Sequence, residues 1–342
     1  MASYNDIAKL TGLSLGTISN VMQGKKNVKE SSRQKVEQAI EQLGYRVNYQ
    51  ARSLASERGN LIGLVVSTTE NIAESSILLP MENFAEKHGS RIIWATSRND
   101  KDRERKNCEA MLSSKVDCLF VFLQSLENEA YFRRLAETEK TPIILLARYI
   151  DGIDMPYAAV DNWYAAQQMV EYVYKKGHRS LTYLDIAEES MLSPNRDRRK
   201  GVIRECEQMG IACDVIRFPV GRNDCEVGYK AAEGMIRSGT LPKLVFPRDD
   251  SFAVGFYSAC MRYQVRVPED VSIMSFGKFF SDYITPKPLS TFDRKFDRVI
   301  DTATGLFLEI AEARKNGSDG KDIRKKIFVK GSLVEGETVA DV

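Results

Sequence analysis

The sequence predicts an α/β protein with a small all-α head at its N-terminus. Three short helical patterns lie between Tyr4 and Leu43, around a turn at Gly12, and a fourth and shorter pattern covers residues 48–56. From Leu61 onward, short apolar runs alternate with amphipathic helical patterns, as is typical of doubly wound sheets. At 342 residues the chain is too long for one ordinary core, so two or three domains are expected.

The predicted head consists of three helices that begin at polar caps and end at glycines. Ser3 is a suitable N-cap for the first helix, and Gly12 ends it. Ser14 caps a second helix over residues 15–22, and a third begins at a serine at 31 or 32 and ends at Gly44. Small three-helix units with a glycine in the first turn place a helix in the major groove of DNA. The head is therefore predicted to bind DNA.

Basic residues are concentrated in the same segment. Residues 1–58 hold nine Lys or Arg and five acidic residues, a net charge of +4, whereas the whole chain carries only +2. A basic end on a slightly acidic body is the pattern expected for binding to a nucleic-acid backbone. A solvated basic face has the same composition, so charge alone leaves both interpretations open.

The body alternates predicted strands with predicted helices. Apolar runs predict strands at 61–67, 91–96, 118–123, 143–147, 181–185, 215–218, 244–247 and 271–276. Helical spacing predicts helices at 77–87, 103–114, 129–139, 164–176, 198–209, 226–237, 252–263 and 296–315. Near-continuous apolar strands between helices indicate parallel strands buried on both faces. Residues 157–162 are interpreted as a crossover into a second unit of the same kind.

Several classes of function are disfavoured by missing motifs. No G-x-G-x-x-G motif follows a strand, and neither a phosphate-binding P-loop nor a Gly-x-Ser-x-Gly elbow occurs. The two histidines, His88 and His178, each adjoin a glycine at a helix end. We therefore expect no enzyme activity, no cofactor and no metal site.

The cysteine pattern and the hydropathy favour a cytoplasmic protein. None of the six cysteines forms a Cys-x-x-Cys pair, so they are interpreted as reduced core or near-core residues. No apolar leader precedes the first helix, and no run reaches the roughly 18 apolar residues of a membrane span. A membrane location is therefore not expected.

Motifs along the chain resemble those of the lactose/galactose repressor family of bacterial transcription regulators. In the head the similar stretches are residues 4–8, 11–14 and 17–22, followed by 33–36, 43–45 and 48–55. In the body they are residues 62–65, 177–179, 250–255 and 288–292. The resemblance covers essentially the whole chain and is most specific in the head.

The resemblance implies a homodimeric regulator whose core is built like a periplasmic binding protein. The expected organisation is a helix-turn-helix domain at 1–47, a hinge helix and linker at 48–60, and a core of two subdomains, 61–160 plus 291–320 and 161–290 plus 321–342. A small-molecule effector is expected in the cleft between the subdomains. No heptad pattern remains near the C-terminus, so a dimer is expected and not a tetramer.

The same resemblance places DNA-contacting residues on the second helix. Leu15, Gly16 and Asn20 occupy base-reading positions, and Ser14 and Thr17 occupy phosphate-contact positions. The family often has Arg at the position of Asn20, and Asn suits the N6/N7 pair of adenine where Arg suits guanine. Asn20 is therefore predicted to read adenine, with a solvated helix residue as the alternative.

In the hinge the resemblance places Asn48, Ala51, Arg52 and Leu54 at the DNA. Leu54 is expected to wedge into a minor-groove step and to kink the duplex. Arg52 is expected to enter the narrowed groove or to meet phosphate. Hinge helices from two chains must meet there, so the helix is expected to form only in the dimer on DNA.

The effector pocket departs from the family pattern. Its expected contacts are Ser67, Arg148, Arg198, Arg248, Asp250, Lys278 and Phe296. Arg198 keeps the family's ligand-contacting arginine, although a surface charge is the alternative. Ala147 and Gly277 stand where the family usually has Asp, so two hydroxyl acceptors are missing while basic side chains remain. This pattern favours an anionic effector, such as a sugar phosphate or a carboxylate; a degenerate pocket is the alternative.

The predicted partners are double-stranded operator DNA, a small-molecule effector and a second copy of the chain. Repression is the expected mode of action. Control by a protein corepressor, as in some catabolite regulators of the family, is left open, and a small-molecule binding protein without a DNA function is disfavoured by the head.

Overall fold

The chain forms two compact units, Met1–Gly59 and Asn60–Val342. The computed structural model describes residues 3–22, 28–44, 60–70, 72–187, 193–219, 223–280, 282–320 and 323–342. No helix within these ranges is long and apolar enough to span a bilayer.

The described residues of the head form the helices Tyr4–Thr11, Leu15–Met22 and Glu30–Leu43. A capping box between Ser3 and Asp6 starts the first helix: the Ser3 side chain accepts from the Asp6 N–H, and the Asp6 carboxylate accepts from the Ser3 N–H. The third helix begins at Glu30, one or two residues earlier than predicted, and no side chain caps it. Apolar side chains from all three helices form the small core of this unit: Ile7, Ile18, Val21, Val36 and Ala39.

The core unit contains two parallel or mostly parallel sheets, as the alternating pattern predicts. The described strands of the first sheet are all parallel and lie in the order Lys326–Val329, Tyr157–Val160, Ile143–Leu146, Cys118–Val121, Leu61–Val66 and Arg91–Thr96. The second sheet has the order Ser332–Val334, Ser290–Asp293, Ser272–Gly277, Leu244–Pro247, Ser180–Ile186 and Ala212–Phe218. Its only antiparallel pair among the described strands joins Ser332–Val334 to Ser290–Asp293.

Helices cover these sheets and bury the strands. The helices of the core are Ile72–Ser75, Leu78–Lys87, Lys101–Ser113, Glu129–Thr138, Asn162–Lys175, Ser193–Met209, Asp224–Ser238, Asp250–Arg262 and Phe296–Lys315, with a 3₁₀ turn at Leu126–Asn128. Every residue of the inner strands Cys118–Val121, Ile143–Leu146 and Leu244–Pro247 is buried, which explains their unbroken apolar sequences.

The predicted division of the core needs correction at two strands. Ser290–Asp293 was assigned from residue 291 to the first subdomain, but it pairs with Ser272–Gly277 in the second sheet. Lys326–Val329 was assigned to the second subdomain, but it pairs with Tyr157–Val160 in the first sheet. Residues 157–160, interpreted only as part of a crossover, are themselves a strand.

Within the described residues the chain crosses between the subdomains three times, and the first two of these crossovers contribute residues to the cleft lining. The three crossovers lie between residues 160 and 162, 293 and 296, and 329 and 332. Asn162 in the first crossover and Arg294 in the second reach the cleft just after the strands Tyr157–Val160 and Ser290–Asp293, and neither strand was predicted from the sequence.

The burial of the cysteines agrees with the predicted core or near-core positions at five of the six residues. All six are free thiols; four are buried, Cys213 is partly buried, and Cys225 is exposed and so is no core residue.

Candidate DNA-binding head and effector cleft

The second helix of the head exposes the face that the sequence assigns to DNA. Ile18 and Val21 are buried on its inner side. Ser14, Leu15 and Gly16 are exposed at its start, and Leu15 has 48% of its surface accessible. Leu15 is therefore no part of the core of the head.

Ser14 organises the start of this helix. Its Oγ accepts from the backbone N–H of Thr17 at 3.1 Å, and the two hydroxyl oxygens lie 2.9 Å apart. In such a pair one hydroxyl hydrogen remains available for an outside acceptor such as a phosphate oxygen. A Cβ at Gly16 would meet only Ser14 Oγ, at 3.9 Å, so the space above Gly16 is open. Asn20 is half-buried on the same helix.

The hinge residues Asn48, Ala51, Arg52 and Leu54 lie outside the described residues. Their roles at the DNA remain predictions.

A cleft that is partly open to solvent lies between the two sheets at the carboxyl ends of their strands. Four of the predicted effector residues line it: Arg148, Arg198, Arg248 and Phe296. This is the position expected for a ligand in a doubly wound fold.

Arg148 is held by its own subdomain. Its guanidinium lies 3.1 Å from Glu74 Oε1, donates to Ser67 Oγ at 3.2 Å and to the Leu123 carbonyl, and stacks on Phe122 with its Cζ 4.0 Å from the ring centroid. Ser67 is itself buried and donates to Glu74, so it supports Arg148 and does not line the cleft as predicted. The charge of Arg148 is therefore compensated without a ligand.

Arg198 is a buried cation from the second subdomain. It donates to the Arg248 carbonyl and, at 3.0 Å, to Asn195 Oδ1, and its Cζ lies 3.7 Å from the Phe276 ring centroid. Its Nε is buried without a hydrogen-bond acceptor among the described residues. Burial lowers the pKa of this guanidinium, which shows that its surroundings disfavour the charge.

The helix that carries Arg198 approaches its neighbour closely. A Cβ at Gly201 would lie 2.7 Å from the Ala166 Cβ, so only glycine lets Ser193–Met209 pack at this distance on Asn162–Lys175. This packing holds Arg198, one turn earlier, against the second sheet. The alternative that Arg198 is a surface charge is therefore wrong.

Arg248 faces carboxylates. Its Nε lies 3.8 Å from Asp249 Oδ2 and 3.9 Å from Asp224 Oδ2. Asp249 also caps the helix Asp250–Arg262, because its Oδ1 accepts from Phe252 N–H at 3.0 Å. The sequence analysis missed Asp249 as a cleft residue, although its place before a helix is an N-cap signal.

Asp250 was predicted to contact the effector, and this prediction is wrong. Asp250 is 2% exposed and does not line the cleft. Its carboxylate accepts from Ser275 Oγ, from Thr291 Oγ1 at 2.9 Å and from Phe279 N–H at 3.1 Å, so it ties two strands and a loop together. A Cβ at Gly277 would lie 2.7 Å from Asp250 Oδ2, so a second carboxylate at Gly277 would meet this one.

Lys278 was also predicted in the cleft and is not there. Its ammonium pairs with Asp282, four residues later, and the side chain borders a separate small pocket. The local ion pair turns Lys278 away from the effector site.

Arg294 is a cleft residue that sequence reasoning missed. Its guanidinium lies among three rings, with its Cζ 4.1 Å from the Phe279 centroid, 5.1 Å from Phe276 and 5.9 Å from Phe296. Its Nε is buried and has no acceptor among the described residues. Burial, with the positive charge of Arg198, lowers the pKa of Arg294 to about 9. It stands in the crossover at 293–296, where no strand-end rule pointed to it.

Asn162 is the second residue that was missed. It is 3% exposed, lines the cleft and donates from Nδ2 to the Val160 carbonyl at 3.0 Å. This bond fixes the amide orientation, because a carbonyl needs a donor. The remaining atom, Oδ1, is buried without a partner among the described residues. The cleft thus combines unsatisfied guanidinium donors with one unsatisfied acceptor.

Hydrogen bonds also connect the two subdomains beside the cleft. The Tyr149 hydroxyl donates to Asp197 Oδ2, the Tyr149 N–H donates to Ser193 Oγ at 3.0 Å, and Arg196 pairs with Asp151 at 2.6 Å. We call these five residues the subdomain bridge. Within the described ranges, no group of three or more His, Cys, Asp and Glu side chains could hold a metal ion.

The fold and these two sites define a class of protein: a helix-turn-helix head joined to a core that resembles a periplasmic binding protein. The family model "Bacterial regulatory proteins, lacI family" matches residues 3–48, and the model "Periplasmic binding protein-like domain" matches residues 170–339. Residues 3–48 match the lacI family of bacterial regulatory proteins, and the chain along its length is similar to transcription regulators of that family.

Relatives match along most of the chain. The catabolite control protein A of Priestia megaterium is 26% identical over 85% of this chain and 87% of its own length. The HTH-type transcriptional repressor PurR of Serratia proteamaculans is 25% identical over 98% of both chains. Among solved structures, the Lac repressor dimer bound to operator and an anti-inducer has a TM-score of 0.84 at 21% identity, over 99% of both chains. The last match supports the fold alone.

Proposed function

We propose that this protein is a cytoplasmic repressor that binds a pseudo-palindromic operator as a homodimer and is controlled by an anionic small molecule in its cleft. The observation that carries the effector part is the pair Arg198 and Arg294, two buried or half-buried guanidinium groups that lack a carboxylate partner among the described residues. The DNA part rests on the head and on the family.

The exposed start of the second head helix supports base reading in the major groove. Leu15 and Gly16 leave a shallow surface, and the Ser14 hydroxyl is placed for a phosphate. Asn20 is then the side chain on this helix with paired donor and acceptor atoms for a base edge.

Exposed apolar side chains support a dimer. Leu79 and Trp94 are exposed on the first subdomain, and Met261, Tyr283 and Ile284 are exposed on the second. Trp94 lies on the edge strand Arg91–Thr96, and Tyr283 has 94% of its surface accessible. Large apolar side chains in such positions are typical of surfaces covered by a second subunit.

The charges of the cleft support an anion. An uncompensated buried cation costs free energy, and a bound carboxylate or phosphate removes that cost by pairing with the guanidinium fork. A degenerate pocket would be expected to have lost such groups or to have paired them internally, so the second candidate, control by a protein corepressor alone, is less well supported.

Selection of genomic DNA fragments bound by the full-length chain tests the DNA part. We expect enrichment of one inverted-repeat sequence, and a complex containing two chains per site in sedimentation analysis. Enrichment of unrelated sequences, or one chain per site, would overturn the operator proposal.

A further inference from the structure

Among the described residues of the cleft, Arg294 is the arginine whose guanidinium donors have the fewest hydrogen-bond acceptors. No described residue accepts a hydrogen bond from its guanidinium, which packs against Phe279 with its Cζ 4.1 Å from the ring centroid. Aromatic rings fix the plane of the group but accept no strong hydrogen bond. A planar fork that is held rigid and left without acceptors matches a carboxylate, which it binds through two parallel hydrogen bonds.

The other arginines of the cleft already have carboxylate or hydrogen-bond partners within the protein. Arg148 is paired with Glu74 at 3.1 Å, and Arg248 lies within 3.9 Å of two carboxylates. Arg198 already donates to Asn195 Oδ1 and to a backbone carbonyl, and only its Nε lacks an acceptor. The charges therefore leave room for one negative charge near Arg294 and Arg198, which fits a monoanion better than a dianion.

Two of the helix N-termini at the cleft disfavour a phosphate. Phosphates are commonly held by free backbone N–H groups at helix N-termini. Here the helix that begins at Asn162 is capped by Asp161, whose Oδ1 accepts from Tyr164 N–H at 2.9 Å. The helix Asp250–Arg262 is capped in the same way by Asp249. Both caps occupy an N–H group and place a negative charge beside these two helix N-termini. The helix Phe296–Lys315 also begins at the cleft and has no side-chain cap, so the preference for a carboxylate rests on the arginines and not on the helix ends.

The unpaired Asn162 Oδ1 favours a ligand that carries a hydrogen-bond donor. Its buried Oδ1 has no partner among the described residues and lines the cleft, so a hydroxyl of the ligand can donate to it.

We propose that the effector is a hydroxylated monocarboxylate, with its carboxylate on Arg294 and Arg198 and a hydroxyl donated to Asn162 Oδ1. This inference rests on the proposed function, because it names the chemical class of the effector in that same cleft. Arg294 is then the residue that selects the acid over the corresponding neutral sugar.

Isothermal titration calorimetry of the full-length protein tests this assignment. The probes are D-glucuronate, D-gluconate, the methyl ester of D-glucuronate, D-glucose and D-glucose 6-phosphate. We expect at least one of the two acids to bind, and its neutral counterpart, the ester or glucose, to bind at least tenfold more weakly.

Arg294→Gln should weaken binding of the acid about tenfold to a hundredfold and should remove most of this discrimination, because a charged hydrogen bond is lost. Asn162→Ala should weaken acid and neutral counterpart alike, about tenfold.

Arg105→Gln is the matched control, because Arg105 is exposed on the first subdomain and pairs only with Asp102 among the described residues. It should bind as wild type does. Binding of glucose 6-phosphate without binding of either acid would overturn the monocarboxylate assignment and leave an anionic effector standing. Binding of neutral sugars alone would overturn both the monocarboxylate assignment and the proposal of an anionic effector. An absence of binding by every probe would overturn the assigned chemical class of the effector. Operator binding is measured separately, so this result would leave the DNA part of the proposed function standing.

Discussion

The Tyr149 hydroxyl donates a hydrogen bond to Asp197 across the two subdomains of the core. Tyr149 directly follows Arg148, and Asp197 directly precedes Arg198, so this bond joins the two segments that carry the facing arginines of the cleft. The Tyr149 ring also stacks on Tyr157, with centroids 4.8 Å apart. The relative position of the subdomains and the geometry of the effector site are therefore set by the same residues.

Tyr149→Phe should destabilise the core. The substitution keeps the stacked ring and removes the hydroxyl, so it leaves Asp197 short of one donor in a buried place, at a cost of about 1–3 kcal/mol. Urea unfolding followed by circular dichroism measures the loss. Tyr131→Phe is the control, because the Tyr131 hydroxyl is buried without a partner among the described residues and its removal should be neutral or stabilising. Equal effects of the two substitutions would contradict a specific role for the subdomain bridge.

Leu54→Ala should reduce specific DNA binding and largely spare non-specific binding. Phosphate contacts of the head remain in this variant, while the proposed wedge that kinks the operator is lost. Titration of the selected operator and of a scrambled duplex at one salt concentration measures both affinities. An equal loss of affinity for both duplexes, or no loss for either, would contradict the wedge role of Leu54.

Asn20→Arg should change which base is read. A bidentate contact between Asn and adenine discriminates by about 1–3 kcal/mol, and Arg prefers the O6 and N7 atoms of guanine. Binding-site selection with both proteins should show one position per half-site shifting from adenine to guanine. Identical site logos would show that Asn20 reads no base.

Acid should destabilise the core through His178. This side chain is 4% exposed with its Nε2 3.1 Å from the Ala340 carbonyl oxygen, and burial lowers its pKa below the ordinary 6.5. Because the unfolded chain takes up the proton first, stability is fully present above pH 6.5 and is lost as the pH falls from there through the lowered pKa. His178→Gln should reduce the difference in Tm between pH 7.5 and pH 5.5. An unchanged difference would show that His178 does not titrate in this range.

The fold was predictable because its signals are local. Buried parallel strands such as Cys118–Val121 are apolar without interruption, and the predicted strands at 91–96 and 244–247 have the bounds that the structure shows. The strands at 290–293, 326–329 and 332–334 were not predicted. They have three or four residues each and lie at the crossovers, where pairing with distant strands and not local sequence decides their structure.

Some of the residues that line the cleft were predictable because their positions also follow from local sequence. Arg148 and Arg248 directly or closely follow predicted strands, and the strand-end rule brought them to the cleft. Lys278 also follows a strand, but a local ion pair with Asp282 directs it elsewhere. Arg294 and Asn162 reach the cleft from crossovers, and their importance lies in missing partners, which only the packed structure reveals.

The most direct test of the account is the affinity for the selected operator in the absence and presence of a saturating hydroxylated monocarboxylate, measured for wild type and Arg294→Gln. The account predicts that the acid changes the operator dissociation constant of wild type at least about fivefold, the size of an ordinary allosteric coupling. The same acid concentration should leave the operator affinity of Arg294→Gln nearly unchanged. An operator affinity of wild type that is identical with the cleft empty and with the cleft saturated would contradict the claim that this protein senses an anion to control DNA binding.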